Sequence, residues 1–307
     1  MDRVAIVTES TVCLPQGLVT EYGIHIVPME FSYEGKTYRD GIDLTPSQFY
    51  ELLAQAKKLP TTSPGPPGSY LEAYREASQH AQSILCITLS PKFSTTHNSA
   101  LLAKETAKEV LPQATIEVLD SGTAAGAQGW IVLAAARAAK ARASLAEVMD
   151  AARSLMPRVH LVALLDTLYF LVKGGRVPLV AAWATSLLNI KPVFELVPLQ
   201  AEARMLHRAR GRRQALERLL QVLQDKTQGD GPLHALVMHT NIPGEAEGLR
   251  ERIAAQFDCA ELYITDFTPV IGVHCGPGLL GVAFYMEAGP GHPKDQALTS
   301  APQSAIK

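Results

Sequence analysis

The stretch VIGVHCGPGLLGVAFYM, residues 270–286, contains GPGLLG, a literal G-x-G-x-x-G. As a dinucleotide fingerprint it would need a strand before the glycines, a helix after them and an acidic residue about 20 positions on. The order here is wrong. Leu279 to Met286 is an apolar run with β-branched and aromatic side chains, so it reads as a buried strand and not as the start of a helix. Pro277 stands inside the motif, where a phosphate-binding turn would want a free N–H. The glycines are expected to make a tight connection into a final strand, with His274 and Cys275 just before it.

Outward from that strand, the first half of the chain alternates strand and helix patterns. RVAIVTES and IHIVPMEFSY (24–33) read as strands, Thr45 to Lys58 as a helix, SILCITL (83–89) as a strand, and Thr95 to Val110 as a helix with Ala100, Ala103, Ala107 and Val110 on one face. TIEVLD (115–120) is a further strand, followed by two alanine-rich helices reaching Pro157. Strands joined through helices imply a parallel sheet covered on both faces. After Pro157 the pattern changes. HLVALL (160–165) is a strand, a short helix ends at LVKGGR, and VFELVPL and ARMLHR form an antiparallel pair. A helix over 212–226, strand HALVMHT (234–240), helix 244–256, strand ELYITDF and the final strand follow. The expected fold class is therefore α/β with two domains. Residues 1–157 form a Rossmann-like three-layer domain with a parallel sheet, and residues 158–286 a mixed-sheet α/β domain. Residues 287–307 are rich in Gly, Pro, Ser and Gln and are expected to be a disordered tail.

Composition removes several function classes. Of the 307 residues 47% are hydrophobic, enough for a sizeable core, and a net charge of -2 gives no footprint for nucleic acid. The one basic cluster, HRARGRRQ (207–214), reads as a solvated helix start. Cys13, Cys86, Cys259 and Cys275 have no metal-ligand spacing, which points to a reducing compartment without structural zinc. No apolar run approaches the ~20 residues of a membrane span, so no stable membrane insertion is expected. With no signal-peptide pattern at the start, the expected location is the cytoplasm.

In an open parallel sheet, ligands bind beyond the carboxyl ends of the strands. Four segments fall there: TEST (8–11), LPTTSPGPPG (59–68), LSPKFSTTHNS (89–99) and LDSGTAAGAQG (119–129), all rich in hydroxyls and small residues. Ser94 is placed to cap the helix that follows it. It could equally join helix-end N–H groups and a threonine of the 61–63 loop in holding an anion. A nucleophilic Ser94 with His274 as base is a third reading, for which no G-x-S-x-G elbow exists. P-loop, H-E-x-x-H and EF-hand patterns are absent. Lys173-Gly174-Gly175-Arg176 reads as a glycine C-cap with basic neighbours.

Taken together these segments resemble the DegV family of bacterial fatty-acid-binding proteins. TESTVCLP (8–15) is similar to its T-D-S-T-x-D-L-P opening, and Thr62-Ser63-Pro64-Gly65-Pro66 to its T-S-Q-P-x-P loop without the glutamine. SPKFSTTHNSA (90–100) and DSGTAAGAQG (120–129) match two further segments. DTLYFLVKGGRV (166–177), LNIKP (188–192) and TPVIGVHCGPGLLGV (268–282) are the most specific. Thr95 stands where the family has glycine, His97 where it has tyrosine, Ala125 where it has serine and Ala127 where it has glycine.

The resemblance implies two α/β domains with one long-chain fatty acid between them and no cofactor. It assigns the carboxylate to Thr62 and Ser94 with His274, and makes Ser63, Thr95 and Arg176 accessory candidates. It implies a lipid-binding protein and not an enzyme, one that presents its acid to a separate ATP-dependent fatty acid kinase subunit for an acyl phosphate used in phospholipid synthesis. A serine-dependent acyl hydrolase and a relative of the dihydroxyacetone kinases are the alternative readings.

Overall fold

The computed structural model describes residues 3–175, 190–227 and 231–287. Arg176 and residues 288–307 of the expected 287–307 tail lie outside them, whereas Glu287 is held in place, its N–H donating to the Pro232 carbonyl (3.0 Å). The first sheet is built from β1 (Val4–Glu9), β2 (His25–Val27), β6 (Ser83–Thr88) and β7 (Thr115–Asp120), all parallel, in the order β2-β1-β6-β7. Its strands alternate between two buried faces, as a sheet covered on both sides requires. Val7, Ile84 and Cys86 pack under α3 (Pro67–Ser78) and α4 (Thr96–Val110). Val4, Ile6, Leu85 and Ile87 pack under α1 (Gln16–Glu21), α5 (Ala125–Lys140) and α6 (Leu145–Leu155).

The stretch 24–33 is not one strand. Pro28 interrupts it, and the next N–H, from Met29, donates to Ser10 Oγ (3.1 Å) instead of a ladder partner. Beyond the break, β3 (Glu30–Tyr33) turns into a separate antiparallel sheet between β4 (Lys36–Arg39) and β5 (Thr61–Ser63). Helix α2 (Pro46–Gln55) stops short of the expected Lys58. Thr45 and Gln48 form a reciprocal capping box at its start. On α4, Ala100, Ala103 and Ala107 are buried as expected, but Val110, the last residue of the helix, is exposed beyond the packed face.

The second sheet is mixed, in the order β10-β9-β8-β13-β11-β12. It comprises β8 (His160–Leu164), β9 (Lys191–Val197), β10 (Glu202–Ala209), β11 (Leu233–His239), β12 (Cys259–Asp266) and β13 (Leu280–Met286). Only β11 and β12 run parallel; the other neighbours are antiparallel. One face carries α8 (Arg212–Lys226) and α9 (Pro243–Gln256). The other receives α5. Two short α-helices, α7 (Tyr169–Lys173) and α10 (Pro269–Cys275), and a 3-10 turn over Ser10–Val12 complete the described elements.

Helix α5 joins the two sheets. Gly126 faces the second sheet so closely that a Cβ would lie 2.9 Å from the Leu236 side chain, and Gly129 meets the Val12 carbonyl the same way. Trp130 Nε1 donates to the Ala283 carbonyl (3.0 Å). Farther along, Arg137 pairs with Glu261, which also bonds His234 (2.6 Å) and Tyr263 Oη (2.8 Å). Burial alone would raise Glu261, but the His234 bond and the Arg137 charge outweigh it and hold the carboxyl down to about 2.

Replacing Glu261 with alanine strands Arg137 without its counter-charge, and a destabilisation of about 3 kcal/mol or more is expected in urea unfolding. For the native chain the Glu261 contribution should be complete above the ordinary carboxylate value of 4.5 and lost only as pH falls toward about 2.

Candidate functional site

A cavity of about 170 Å³ lies where the carboxyl-end loops of the first sheet meet the face of the second. Thr62, Ser94 and His274 all line it. Ser63 and Thr95 do not. Along β5 successive side chains point to opposite faces, so Thr62, paired across from Phe31, looks into the cavity and Ser63 looks away. Thr95 is exposed and serves as the N-cap residue of α4, a place expected for Ser94. Its φ of -80° and ψ of 9° are open to a β-branched residue, so the glycine of the family pattern is not needed here.

His274 stands on a helix, α10, in the stretch before the glycine connection to which the sequence pattern assigns no element. Pro269 occupies the first turn of α10, and Val270, Ile271, His274 and Cys275 line the cavity at helical spacing. The helix start is held from a distance: Val270 N–H donates to the Asp40 carboxylate (3.0 Å), which also accepts from Ser10 Oγ (2.6 Å). Asp40 is buried, and that burial raises its pKa against the opposing bonds from Ser10, Val270 and Thr268. At the other end Gly276 has φ 71° and the Phe170 ring occupies the space where a Cβ would stand. Gly174, the C-cap of α7, backs His274 so closely that a Cβ would lie 3.2 Å from Nδ1.

Two hydrogen-bonded pairs supply the cavity's polarity. Thr62 Oγ1 and His274 Nε2 are 2.8 Å apart, across the two halves of the chain. With the proton on Nε2, the imidazole donates to Thr62 and the threonine proton is left for a ligand oxygen. Ser94 Oγ and Thr96 Oγ1 are 2.8 Å apart, and Thr96 N–H also donates to Ser94. Thr96, which sequence reasoning did not assign to the site, thus orients the serine. Its only signal was a hydroxyl two residues on at a helix start. Thr11, from the TEST segment, is a further lining hydroxyl that was not singled out. Cys275 also lines the cavity, but burial pushes its thiol up to about 12, so it stays protonated. The remaining lining residues are apolar, among them Leu89, Phe93, Leu161, Phe194, Leu196 and Phe267.

Residues 3–287 match the family model described as "Uncharacterised protein, DegV family". The chain belongs to the DegV family. It is similar to the solved structure of a DegV family protein from Thermus thermophilus, described as fatty acid binding, with 30% identity and a TM-score of 0.84 over 92% of this chain and 99% of that one. DegV from Bacillus subtilis, described as a fatty acid binding protein, shares 28% identity and a TM-score of 0.84 over 94% and 100%. A stearic acid-binding protein from Eubacterium ventriosum shares 25% identity and a TM-score of 0.84 over 92% and 98%. At these TM-scores over nearly the whole length, the chain shares the α/β fold of these three proteins.

Directly behind the cavity wall sits Glu9, fully buried. Its Oε1 accepts from Gln128 Nε2 (2.6 Å), the Leu89 N–H (3.0 Å) and Thr11 Oγ1 (3.2 Å). Both Thr11 and Leu89 line the cavity. Among the described residues Glu9 Oε2 and Gln128 Oε1 have no partner, so a proton on Oε2 turns one orphaned acceptor into a donor. Burial raises the Glu9 pKa to about 7, against the opposing hydrogen bonds.

A raised carboxyl stabilises the fold fully below its unfolded value of 4.5 and loses that stability as pH rises through about 7. The native protein should therefore lose on the order of 3 kcal/mol from this group across that window. Glu9→Gln should flatten the loss in a series of urea titrations at stepped pH. An unchanged pH slope would show that Glu9 is ionised in the fold.

Proposed function

We propose that this chain binds one long-chain fatty acid in the cavity, with the carboxylate held by Thr62 and Ser94 beside His274. The observation that carries the reading is the make-up of the walls. Apolar side chains surround a space whose polar groups are a few hydroxyls and one imidazole, already paired as Thr62–His274 and Ser94–Thr96. Such walls suit an acyl chain, which gains about 0.8 kcal/mol per buried CH₂. The hydroxyls suit the carboxylate, which must find donors once it leaves water. The fatty-acid binding of two DegV proteins and of the similar stearic acid-binding protein supports carrying the same ligand class to this chain.

The bound acid is then presented to a separate ATP-dependent kinase subunit, which would form the acyl phosphate for phospholipid synthesis. The family resemblance supports this step, and so does a sequence without a P-loop of its own. The serine-hydrolase alternative needs Ser94 activated by a base. Ser94 is instead bonded to Thr96, and His274 Nε2 to Thr62, which favours a pair of anion donors.

Organic extraction of protein purified from a bacterial host should release a long-chain fatty acid, and native mass spectrometry should show one per chain. Ser94→Ala and Thr62→Ala should each weaken fatty-acid binding about ten- to a hundredfold, as hydrogen bonds to charged groups require. Thr96→Ala should cause a smaller loss by freeing the serine rotor. A fatty alcohol of equal length should lose less than the acid in each variant. Equal losses for acid and alcohol would remove the carboxylate assignment. ATP consumption by the isolated chain, or ester turnover abolished by Ser94→Ala, would replace binding with catalysis.

A further inference from the structure

Resting on the fatty-acid reading above, we propose that Ala203, on the edge strand β10, sets the length of acyl chain the cavity accepts. The cavity is polar at one side and apolar at the other. Thr11, Thr62, Ser94, His274 and Cys275 come from the loops of the first sheet, the small antiparallel sheet and α10. The residues contributed by β8, β9 and β10 are all apolar. A carboxylate at the hydroxyls therefore sends its tail over the second sheet.

The strand register gives the tail its path. Leu161 pairs with Leu196, and Leu196 with Ala203, so the three form one continuous row across β8, β9 and β10. All three line the cavity. In the next row Ala163 pairs with Phe194 and Phe194 with Met205, and Met205 does not line it. The space thus follows the first row outward, across two strand spacings or about 10 Å. Among the described residues no further strand lies beyond β10. Ala203 is the one β10 residue that lines the cavity among the described residues, and it is half-buried.

The wall at Ala203 is also held in place. The β9–β10 turn is tied to the loops of the first sheet by Lys92 Nζ donating to the Gln200 carbonyl (2.7 Å). At Gly122 a Cβ would come within 3.0 Å of Leu199 Cα, so the two backbones are in contact. Leu199, in this contact, and Ala201 beyond it take φ 62° and 45°, conformations that a turn keeps only when its surroundings fix it. A larger side chain at Ala203 consequently projects into the tail space, because the strand has nowhere to retreat.

The test compares octadecanoic and dodecanoic acid on the full chain, delipidated, with wild type, Ala203→Val, Ala203→Leu and Ala203→Phe. Octadecanoic acid should weaken progressively, by about tenfold or more for the leucine and phenylalanine variants, since a single misplaced methylene group costs that much in a tight apolar pocket. Dodecanoic acid should stay near its wild-type affinity. Thr62→Ala, which acts at the other end, should weaken both acids alike. Should the phenylalanine variant fail to fold, the ratio of the two affinities in the valine variant decides in the same direction. A wild-type chain that binds neither acid would sink the fatty-acid reading itself. A wild type that binds both, with variants that keep the ratio of the two affinities unchanged, would overturn only the assignment of Ala203.

Discussion

Helix α5 has no face to give to water. Only Arg137, Ala139 and Lys140 among its residues escape full burial, and a helix apolar all round needs a layer on each side. The parallel sheet supplies one layer and the mixed sheet the other. Gly126, Gly129 and the Trp130–Ala283 bond fix how closely both approach. The cavity exists because this filler stops. At its amino end Ala124 and Ala125 are too small to bridge the sheets, and both line the open space.

The carboxylate of the proposed fatty acid would meet a neighbourhood with its own acids neutralised or engaged. Glu9 is pushed toward its neutral form by burial, the Cys275 thiol stays protonated, and Asp40 is occupied by Ser10 and the start of α10. An anion entering here is not set against a second bare carboxylate among these groups. The donors meanwhile are oriented before it arrives. Thr62 is fixed by His274 and Ser94 by Thr96, so less rotamer freedom remains to be lost on binding. Polarity is concentrated in these pairs, and in the proposed reading the length of the apolar wall would govern how much hydrocarbon is buried.

The fold was legible in the sequence where periodicity was strong. The parallel strands, the alanine-rich helices and the antiparallel pair 191–209 all follow from it. It failed at 24–33, where strand-like residues on both sides of Pro28 hid a change of sheet at that proline. Periodicity also missed α10, a helix too short to show a face, although Thr268 at the N-cap, Pro269 in the first turn and Gly276 after the end were all in view. Within the site, Thr62, Ser94 and His274 were found through family segments, and the structure brings all three to one cavity. Ser63 and Thr95 were neighbours in sequence only. Strand alternation sends the first away, and the helix start sends the second to solvent. Asp40 and Glu9 had no local signal, because their partners Val270 and Gln128 are more than a hundred residues distant in the chain.

The glycines of residues 276–281 show why a short motif can match a pattern and mean something else. A G-x-G-x-x-G reports backbone that needs positive φ or room for a close approach, and says nothing of what fills the room. In a dinucleotide fold a pyrophosphate fills it. Here Gly276 and Gly278 do take positive φ, at 71° and 84°, but the space beside them is taken by Phe170 and Asp166 of the same chain. That contact seats the 166–175 segment against the end of α10. Phe170 in turn accepts the Gly174 N–H, and Gly174 is the residue packed behind the His274 ring. The glycines therefore act on the candidate site at one remove, by fixing the imidazole that holds Thr62.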